Sequence, residues 1–583
     1  MFSVEGTSHS TVKTSTRTSL RDIARHAIQG LRIRRHSNAQ LRSPPETPKS
    51  PKSATIIVEP SSRLDPKGTL HSPSSEKRNS NHDVDVGYDN AFAAFKQRYP
   101  EYAQTSPLDD LRAAEYARLN AGETYLDWMG SAVFPQSLVE QHAATLLDPR
   151  NVFGNAHSRS ASSQLSASHA EDARRAVLQF FDADPVEYIV VFTQNASAAL
   201  KLVGEAYPFT PQTSLVLGVD SHNSVHGLRV FAEKGGADVR YFGCGERGGV
   251  DNESLRECLT SKSSPEHSLL VLTGLSNVTG AKARLSDILP SAREGGFDVL
   301  LDAAALAPTS RISLRSTPVD AMAISFYKMF GYPTGVGALV ARREFLRGLR
   351  RPWFAGGTVD VVQVPGSGAL SYTYLPHGEL AGQSDRDVER WEDGTVNFLS
   401  LGAVSRGLAL LTQYQDILPL RLSILSHYLV TELLRLRHSS GSSMVHIVST
   451  LPTPLTAPRA KASSGAVIAF ILLSSRGEPV RNDMAEQAAQ GQVALRAGCH
   501  CNPGAVISLL HRSGFFAGVD GSDPMRWMEN IHLRPESASK NAVANSLFAG
   551  DSAFGVLRFS LGLATNFRDV WNAIHWVKQL PVA

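Results

Sequence analysis

The chain has little cysteine. Four residues in 583 (Cys244, Cys258, Cys499 and Cys501) are too few for a disulfide scaffold and suit a reducing compartment, hence a cytoplasmic setting. It also lacks a charge excess of either sign. Lys and Arg number 58 against 55 Asp and Glu, leaving +3 with a sequence pI near 8.6. A nucleic-acid-binding domain carries a strong basic footprint, so that class is excluded, and nothing in the balance calls for a membrane partner. No apolar run approaches the ~18 residues of a membrane span. The longest, Ala466-Val-Ile-Ala-Phe-Ile-Leu-Leu473, has the length of a buried strand. No apolar core of a secretory signal follows the start, and no internal repeat is visible. What is present, 42% hydrophobic and 19% charged residues, describes a soluble, enzyme-sized protein.

Residues 1–85 differ in kind. They are crowded with Ser, Thr, Pro, Arg and Lys, with 14 basic against 8 acidic residues. Low hydrophobicity with excess charge cannot offset chain entropy, which predicts a disordered tail. Ser43-Pro-Pro-Glu-Thr-Pro-Lys-Ser-Pro51 reads as extended, polyproline-like chain. Leu20–Arg35 has the pattern of a basic amphipathic helix, and with its Arg- and Ser-rich flanks it is also compatible with a mitochondrial presequence.

From about Tyr88 short apolar runs alternate with helix-length segments. The runs include Glu187–Thr193, Leu215–Asp220, Leu269–Thr273, Phe297–Asp302, Ala321–Ser325 and Gly335–Val340. This alternation predicts a mostly parallel sheet covered on both faces. We expect three regions: the tail (1–85), a lead-in with a large cofactor-binding domain (86–399), and a smaller C-terminal α+β domain (400–583).

In an open α/β sheet the ligand lies beyond the carboxyl ends of the strands. Those ends carry Thr193, Asp220 with His222, Ser276-Asn277, Asp302, and Ser325 with Lys328. Each has a plain reading: a helix cap for Asp302, a loop histidine for His222, a turn residue for Asn277, a surface lysine for Lys328. Their shared location favours a common task. Pyridoxal phosphate needs an imine-forming lysine, an acid for its ring nitrogen, a ring to lie over it, and a phosphate cup. Asp302 closes an apolar strand, where a carboxylate wants a cationic partner. Lys328 follows a strand in surroundings dry enough to lower an ammonium pKa. Thr193-Gln-Asn-Ala-Ser197 turns from strand into helix, and a helix N-terminus receives phosphate well.

Asp302 with Ser325-Phe-Tyr-Lys328-Met-Phe-Gly-Tyr-Pro-Thr-Gly-Val-Gly-Ala338 resembles the class V aminotransferase family, and within it the cysteine-desulfurase domain of molybdenum cofactor sulfurases. The likeness extends through Tyr125-Leu-Asp127, Gly154-Asn-Ala-His-Ser158, Phe192–Leu202, Asp220-Ser-His-Asn-Ser-Val225, Arg390-Trp-Glu-Asp-Gly-Thr395, Leu495-Arg-Ala-Gly-Cys-His-Cys-Asn-Pro-Gly-Ala505 and Leu557-Arg-Phe-Ser-Leu-Gly562. It covers about residues 88–583. The resemblance implies a pyridoxal-phosphate-dependent transferase of fold type I that takes sulfur from L-cysteine as an enzyme persulfide and releases alanine. By position Lys328 would hold the cofactor and move the Cα proton, Asp302 would pair with the ring nitrogen, and His222 would stack on the ring. Asn277 would reach the ring hydroxyl and the substrate. Ala196 (through its amide), Ser197 and Ser325 would hold the phosphate, with Thr395 contributed from the second subunit of a homodimer. Arg496 would fork onto the substrate carboxylate, a task suited to guanidinium. Cys501 stands at the persulfide position.

A thiolate that attacks sulfur belongs on a mobile, exposed loop, and Gly498 and Gly504 flank Cys501 while His500 and Arg496 supply positive character. Cys499 is the competing nucleophile. A zinc site is disfavoured, because Cys499-His500-Cys501 has no second pair to complete four ligands. Three features depart from the pattern. Tyr327 replaces the histidine that precedes the lysine in many plain desulfurases, a change shared with the sulfurase branch. Trp128-Met129 stands where smaller side chains usually line the substrate side. The chain ends soon after Ala564–Val570, so the resemblance implies that sulfur would reach a molybdenum cofactor only through a separate acceptor. A polar stretch after Asn502, including Pro535–Lys540, is expected to be a surface loop. Two other readings stand beside the desulfurase: a lyase or transferase for another amino acid, in which Cys501 is dispensable, and a scaffold without turnover.

Overall fold

The structure is a computed structural model. It describes residues 75–260, 268–356, 358–362, 374–376, 388–514 and 555–580. The segments Leu20–Arg35, Ser43–Pro51 and Pro535–Lys540, singled out above, lie outside the described residues, as does the predicted tail up to residue 74. Helix α1 (Ser75–Arg98) begins ahead of the boundary at residue 85 that composition suggests.

The apolar runs become the strands of one seven-stranded sheet. In chain order these are β2 (Tyr188–Thr193), β3 (Ser214–Gly218), β4 (Asp238–Phe242), β5 (Ser268–Thr273), β6 (Phe297–Asp302), β7 (Ala321–Ser325) and β8 (Gly337–Arg342). In space the order is β2-β8-β7-β6-β5-β3-β4. Only β8 runs antiparallel to its neighbours. Successive side chains of a strand point to opposite faces, and the buried residues divide accordingly. Ile189 and Val191, with Leu215 and Leu217, pack in one core with Ala199, Leu200 and Val203 of helix α3 (Ala196–Ala206). Tyr188, Val190 and Phe192, with Val216, pack in the other. There they meet Ala170, Ala173 and Val177 of α2 (Ala161–Phe180) and Leu401, Val404 and Leu408 of α5 (Phe398–Tyr414). Because β2, β3, β5, β6 and β7 are parallel, their carboxyl ends share one edge, and the polar residues at those ends are gathered there.

A second sheet is antiparallel, in the order β11-β12-β15-β14, formed by β11 (Val445–Ile447), β12 (Val467–Leu472), β15 (Val556–Ser560) and β14 (Arg496–Gly498). The lead-in to the chain belongs structurally with this sheet. Strand β1 (Thr124–Tyr125) pairs in parallel with β13 (Val493–Ala494). Phe95 meets Tyr102 and Tyr428 edge to face and lies tilted against Phe567, with Phe567 and Tyr428 coming from helices α8 (Phe567–Gln579) and α6 (Leu418–Leu433). Arg112 forks onto Asp569 at 2.7 and 3.1 Å, both buried, and Asp569 also closes a capping box with Asn566. Removing one partner of such a buried pair costs about 3–5 kcal/mol. The expected division at residue 399 is therefore bridged, and Ser75–Ala583 is one compact unit. Among the described residues no helix is long and apolar enough to cross a membrane.

Candidate active site

Asp302 ends β6 nearly sealed from solvent, 7% exposed. One backbone donor, the N–H of Ala304 at 3.1 Å, reaches its carboxylate. It forms no ion pair among the described residues. Burial pushes its carboxyl above the usual carboxylate range, and the Lys328 charge offsets only part of that. A buried acid in this state is suited to a cationic ring nitrogen, which would keep it ionised.

Ser325 ends β7 and opens the short helix α4 (Phe326–Phe330). Phe326, Met329 and Phe330 anchor α4 in the core, leaving Tyr327 and Lys328 on its less buried face. Burial lowers the Lys328 ammonium below the ordinary lysine range; Asp302 opposes this, while Arg558 and Arg496 add to it. A lysine so poised is a ready imine-forming amine. His222 caps the turn after β3, its Nδ1 accepting from the Ser224 N–H at 3.1 Å. That bond places the ring proton on Nε2. Burial, helped by the charges of Lys328 and Arg496, lowers its pKa to about 4, so the ring is neutral at physiological pH.

At the β2–α3 turn Asn195 caps the helix by accepting from the Ala198 N–H at 3.0 Å. The Ala196 N–H donates to Ser325 Oγ at 2.9 Å, and Ser197 Oγ lies 2.6 Å from Ser224 Oγ. Ala196, Ser197 and Ser325 are thus brought together at a helix N-terminus, with Ser224 added to the set. The approach depends on Gly337, where a Cβ would stand 2.5 Å from Asn195 Cα. Within this chain Thr395 is elsewhere. It accepts from Asn155 Nδ2 at 3.4 Å. It also lines a cavity of about 430 Å³ with Thr193 and Gln194, whose walls include none of Ser197, Ser325 and Lys328. The neighbouring Glu392 fixes this segment to β2, accepting from Arg174 at 2.8 and 2.9 Å and from the Phe192 N–H at 2.7 Å.

The smaller sheet supplies the opposite wall. Arg496 on β14 and Arg558 on β15 are direct cross-strand partners. Arg558 is buried; it donates to Asp127 Oδ1 at 2.6 Å and to the Asn277 carbonyl at 2.9 Å, while its Nε is unpartnered. Arg496 donates to Cys501 Sγ at 3.6 Å. Like charges directly opposite on a sheet are unfavourable, and among the described residues only Arg558 of the two has a carboxylate partner, Asp127, so the pair has room for an anion beside Arg496. Arg558 escaped the sequence reading, although an arginine inside the apolar run Val556-Leu-Arg-Phe-Ser560 is an anomaly that could have marked it.

Cys501 is exposed, as the sequence reading expects, whereas Cys499 is half-buried with its thiol pushed up to about 11 by burial and by Cys501. The loop that carries Cys501 is tied to the large sheet by hydrogen bonds. The Asn223 N–H donates to the Cys501 carbonyl at 2.8 Å, Asn277 Nδ2 to the His500 carbonyl at 2.7 Å, and Asn502 Nδ2 to Asn277 Oδ1 at 2.9 Å. Asn277 is therefore engaged mainly with this loop, keeping one Nδ2 hydrogen for a ligand. Cys244 is buried and its thiol pushed up to about 12 by burial. No group of three or more His, Cys, Asp or Glu side chains among the described residues is placed to hold a metal ion.

A family model described as Aminotransferase class-V matches residues 124–570. The molybdenum cofactor sulfurase of Bos taurus is 33% identical over 416 residues, 68% of this chain and 45% of that protein. That of Danio rerio is 31% identical over 510 residues, 83% of this chain and 56% of that protein. The chain spans about half the length of the curated relatives it matches. Among solved structures, the cysteine desulfurase of Thermococcus onnurineus NA1 superposes with a TM-score of 0.60 at 20% identity, covering 81% of this chain and 97% of that one. A cysteine desulfurase of Escherichia coli gives 0.58 at 22% identity, covering 81% and 98%. The fold these structures share is the type I α/β fold expected from the sequence.

Proposed function

The chain belongs to the class V aminotransferase family, and on that premise we propose that it is a pyridoxal-phosphate-dependent cysteine desulfurase that moves sulfur from L-cysteine onto Cys501 and releases alanine. The observation that carries this reading is a buried Asp302 without an ion-pair partner, close enough to a desolvated Lys328 for their charges to interact, facing a wall where Arg496 touches the exposed Cys501. Pyridoxal phosphate, when bound, supplies the electron sink for charge developing at the substrate Cα.

The chain's own groups do the rest. Lys328 would hold the cofactor through its amine and, once that amine is free, would take the Cα proton of the substrate. Asp302 would keep the ring nitrogen protonated, His222 would lie against the ring as a neutral imidazole, and Asn277 would offer its remaining Nδ2 hydrogen to the ring hydroxyl or substrate. Ser197, Ser325 and Ser224, with the amides of the β2–α3 turn that include the one at Ala196, cradle the phosphate. Arg496 and Arg558 receive the substrate carboxylate. The Cys501 thiolate attacks the substrate sulfur. An S–S bond forms, the Cβ–S bond breaks with its electron pair left on Cβ, and a proton delivered to Cβ completes alanine. A thiol acceptor then regenerates Cys501.

We also propose a homodimer in which Thr395 serves the phosphate of the other subunit, as the resemblance implies; within this chain the cavity that Thr395 lines includes neither Ser197 nor Ser325. A cytoplasmic setting accords with four unpaired cysteines. The test is incubation of the purified protein with L-cysteine, following alanine and, after added dithiol, sulfide. Cys501→Ala should abolish sulfide while the cofactor's spectral response to L-cysteine persists. If Cys501→Ala keeps its sulfide yield, the enzyme is another lyase on the same scaffold. Without any spectral change on adding pyridoxal phosphate, the enzyme reading fails altogether.

A further inference from the structure

Asp220 has no part in the chemistry just described, yet it is among the most buried acids in the molecule, 5% exposed. It stands two residues beyond β3. No cation pairs with it among the described residues. Its stabilisation comes from three donors: the Gly249 N–H at 2.7 Å on one oxygen, and Ser276 Oγ at 2.9 Å and Asn502 Nδ2 at 2.7 Å on the other. Burial pushes its carboxyl above the usual carboxylate range and the three donors oppose that; hydrogen bonds in so dry a site are strengthened.

The third donor is the telling one. Asn502 directly follows Cys501, is fully buried, and has both side-chain ends engaged. Its Nδ2 bridges Asp220 and Asn277, and its Oδ1 accepts from the Ala505 N–H at 3.2 Å, capping helix α7 (Pro503–Arg512). The two residues before it, His500 and Cys501, have φ of 54° and 55°. Left-handed backbone at a residue other than glycine costs about 1–2 kcal/mol, and two in succession persist only where the surroundings impose them. On the helix side Gly504 lies so close to the Val219 carbonyl that a Cβ would stand 2.4 Å from its oxygen.

We propose that Asp220 is a positioning residue for the nucleophile: by holding Asn502 against the ends of β3 and β5, it sets the strained backbone that aims Cys501 at the substrate sulfur. This deepens the desulfurase reading and rests on it for the word nucleophile, but the latch itself is a property of the polypeptide. It presents the thiol, carried on the loop after β14, from a backbone latched to the wall that carries His222 and Asn277.

Asp220→Asn, in the full chain loaded with pyridoxal phosphate, tests this. A nucleophile misplaced by about 1 Å loses roughly 100-fold in rate, so persulfide and alanine formation should fall by about that factor. Exchange of the substrate Cα proton with solvent deuterium, which precedes sulfur transfer, should be retained, as should KM. Independently of turnover, the amides of 496–505 should lose protection from hydrogen exchange, and the alkylation rate of Cys501, read by peptide mass spectrometry, should change. Asn502→Ala should do the same, and the double variant should be no worse than the poorer single one. If Asp220→Asn does not fold, Asn502→Ala carries the same expectations. Unchanged exchange and alkylation would overturn the proposal, as would an equal loss of Cα exchange and sulfur transfer. Should the wild type make no alanine from L-cysteine, the desulfurase reading falls while labelling and exchange still decide the latch.

Discussion

Lys328, Asp302 and Ser325 are placed by the strand or short helix that each one ends or follows, within a few residues of chain. Asn502 reaches the same cleft through Asn277 and Asp220, 225 and 282 residues away, and Cys501 through the Asn223 N–H on its carbonyl. The first wall is built by burial: apolar runs form parallel strands, and whatever polar residue terminates a run is delivered to the common edge. The second wall is built by directed polar contacts, each of which fails alone if its partner is lost. Chemistry that tolerates no error in the cofactor's seat is housed on the first. On the desulfurase reading, sulfur transfer, which depends on the angle of one thiol, is housed on the second.

The sharpest way to probe that contrast is to remove one group from each wall. Lys328→Ala should cut turnover by about 10⁴-fold, the upper range for a lost acid–base group. Its thermal midpoint should hold or rise, because the folded state no longer has to desolvate an ammonium. Borohydride reduction followed by peptide mapping should label Lys328 in the wild type and nothing in the variant. Arg558→Ala should instead damage the fold as well as activity. It strips Asp127 of its partner and leaves the Asn277 carbonyl without a donor, a loss of about 3 kcal/mol measurable by urea unfolding. Arg496→Ala, on the neighbouring strand but less buried, should change stability by no more than about 0.5 kcal/mol while raising KM for L-cysteine. Equal destabilisation by the two arginine variants would erase the distinction between a framework arginine and a substrate-facing one.

The sheet wall was legible because its code is local. A period-two or continuous apolar run predicts a strand, a polar terminus predicts a ligand edge, and Asp302, Lys328, His222 and the Ala196–Ser197 turn follow. The other wall was legible only in part. Arg496 and Cys501 came from a motif, but the bond from Asn502 to Asp220 spans 282 residues and no spacing announces it. The glycines flanking Cys501 suggested mobility; in the structure Gly504 is there for close approach to Val219, and Gly498 adopts a φ of 95° that glycine tolerates. Arg558 lies in a segment, Leu557–Gly562, that entered only as part of the resemblance, with no role attached to the arginine. Thr395 shows the same limit from the other side: it comes from a motif, yet within this chain it lines a cavity with Thr193 and Gln194 that includes neither Ser197 nor Ser325.

The smallest effect concerns His222, at the seam between the two walls. Its pKa is lowered from 6.5 to about 4 by burial and by the charges of Lys328 and Arg496. Between those values the unfolded chain binds a proton that the folded chain does not, so stability must fall as pH drops from about 6.5 towards 4 and level off below. His500, which burial holds well below its ordinary range, contributes with the same sign. His222→Gln should therefore flatten the pH dependence of the thermal midpoint over that window without abolishing it. Arg496→Ala should flatten it less, because it removes only a minor cause of the shift. A slope unchanged in His222→Gln would mean that the ring is solvated, and with that its place over the cofactor would be lost.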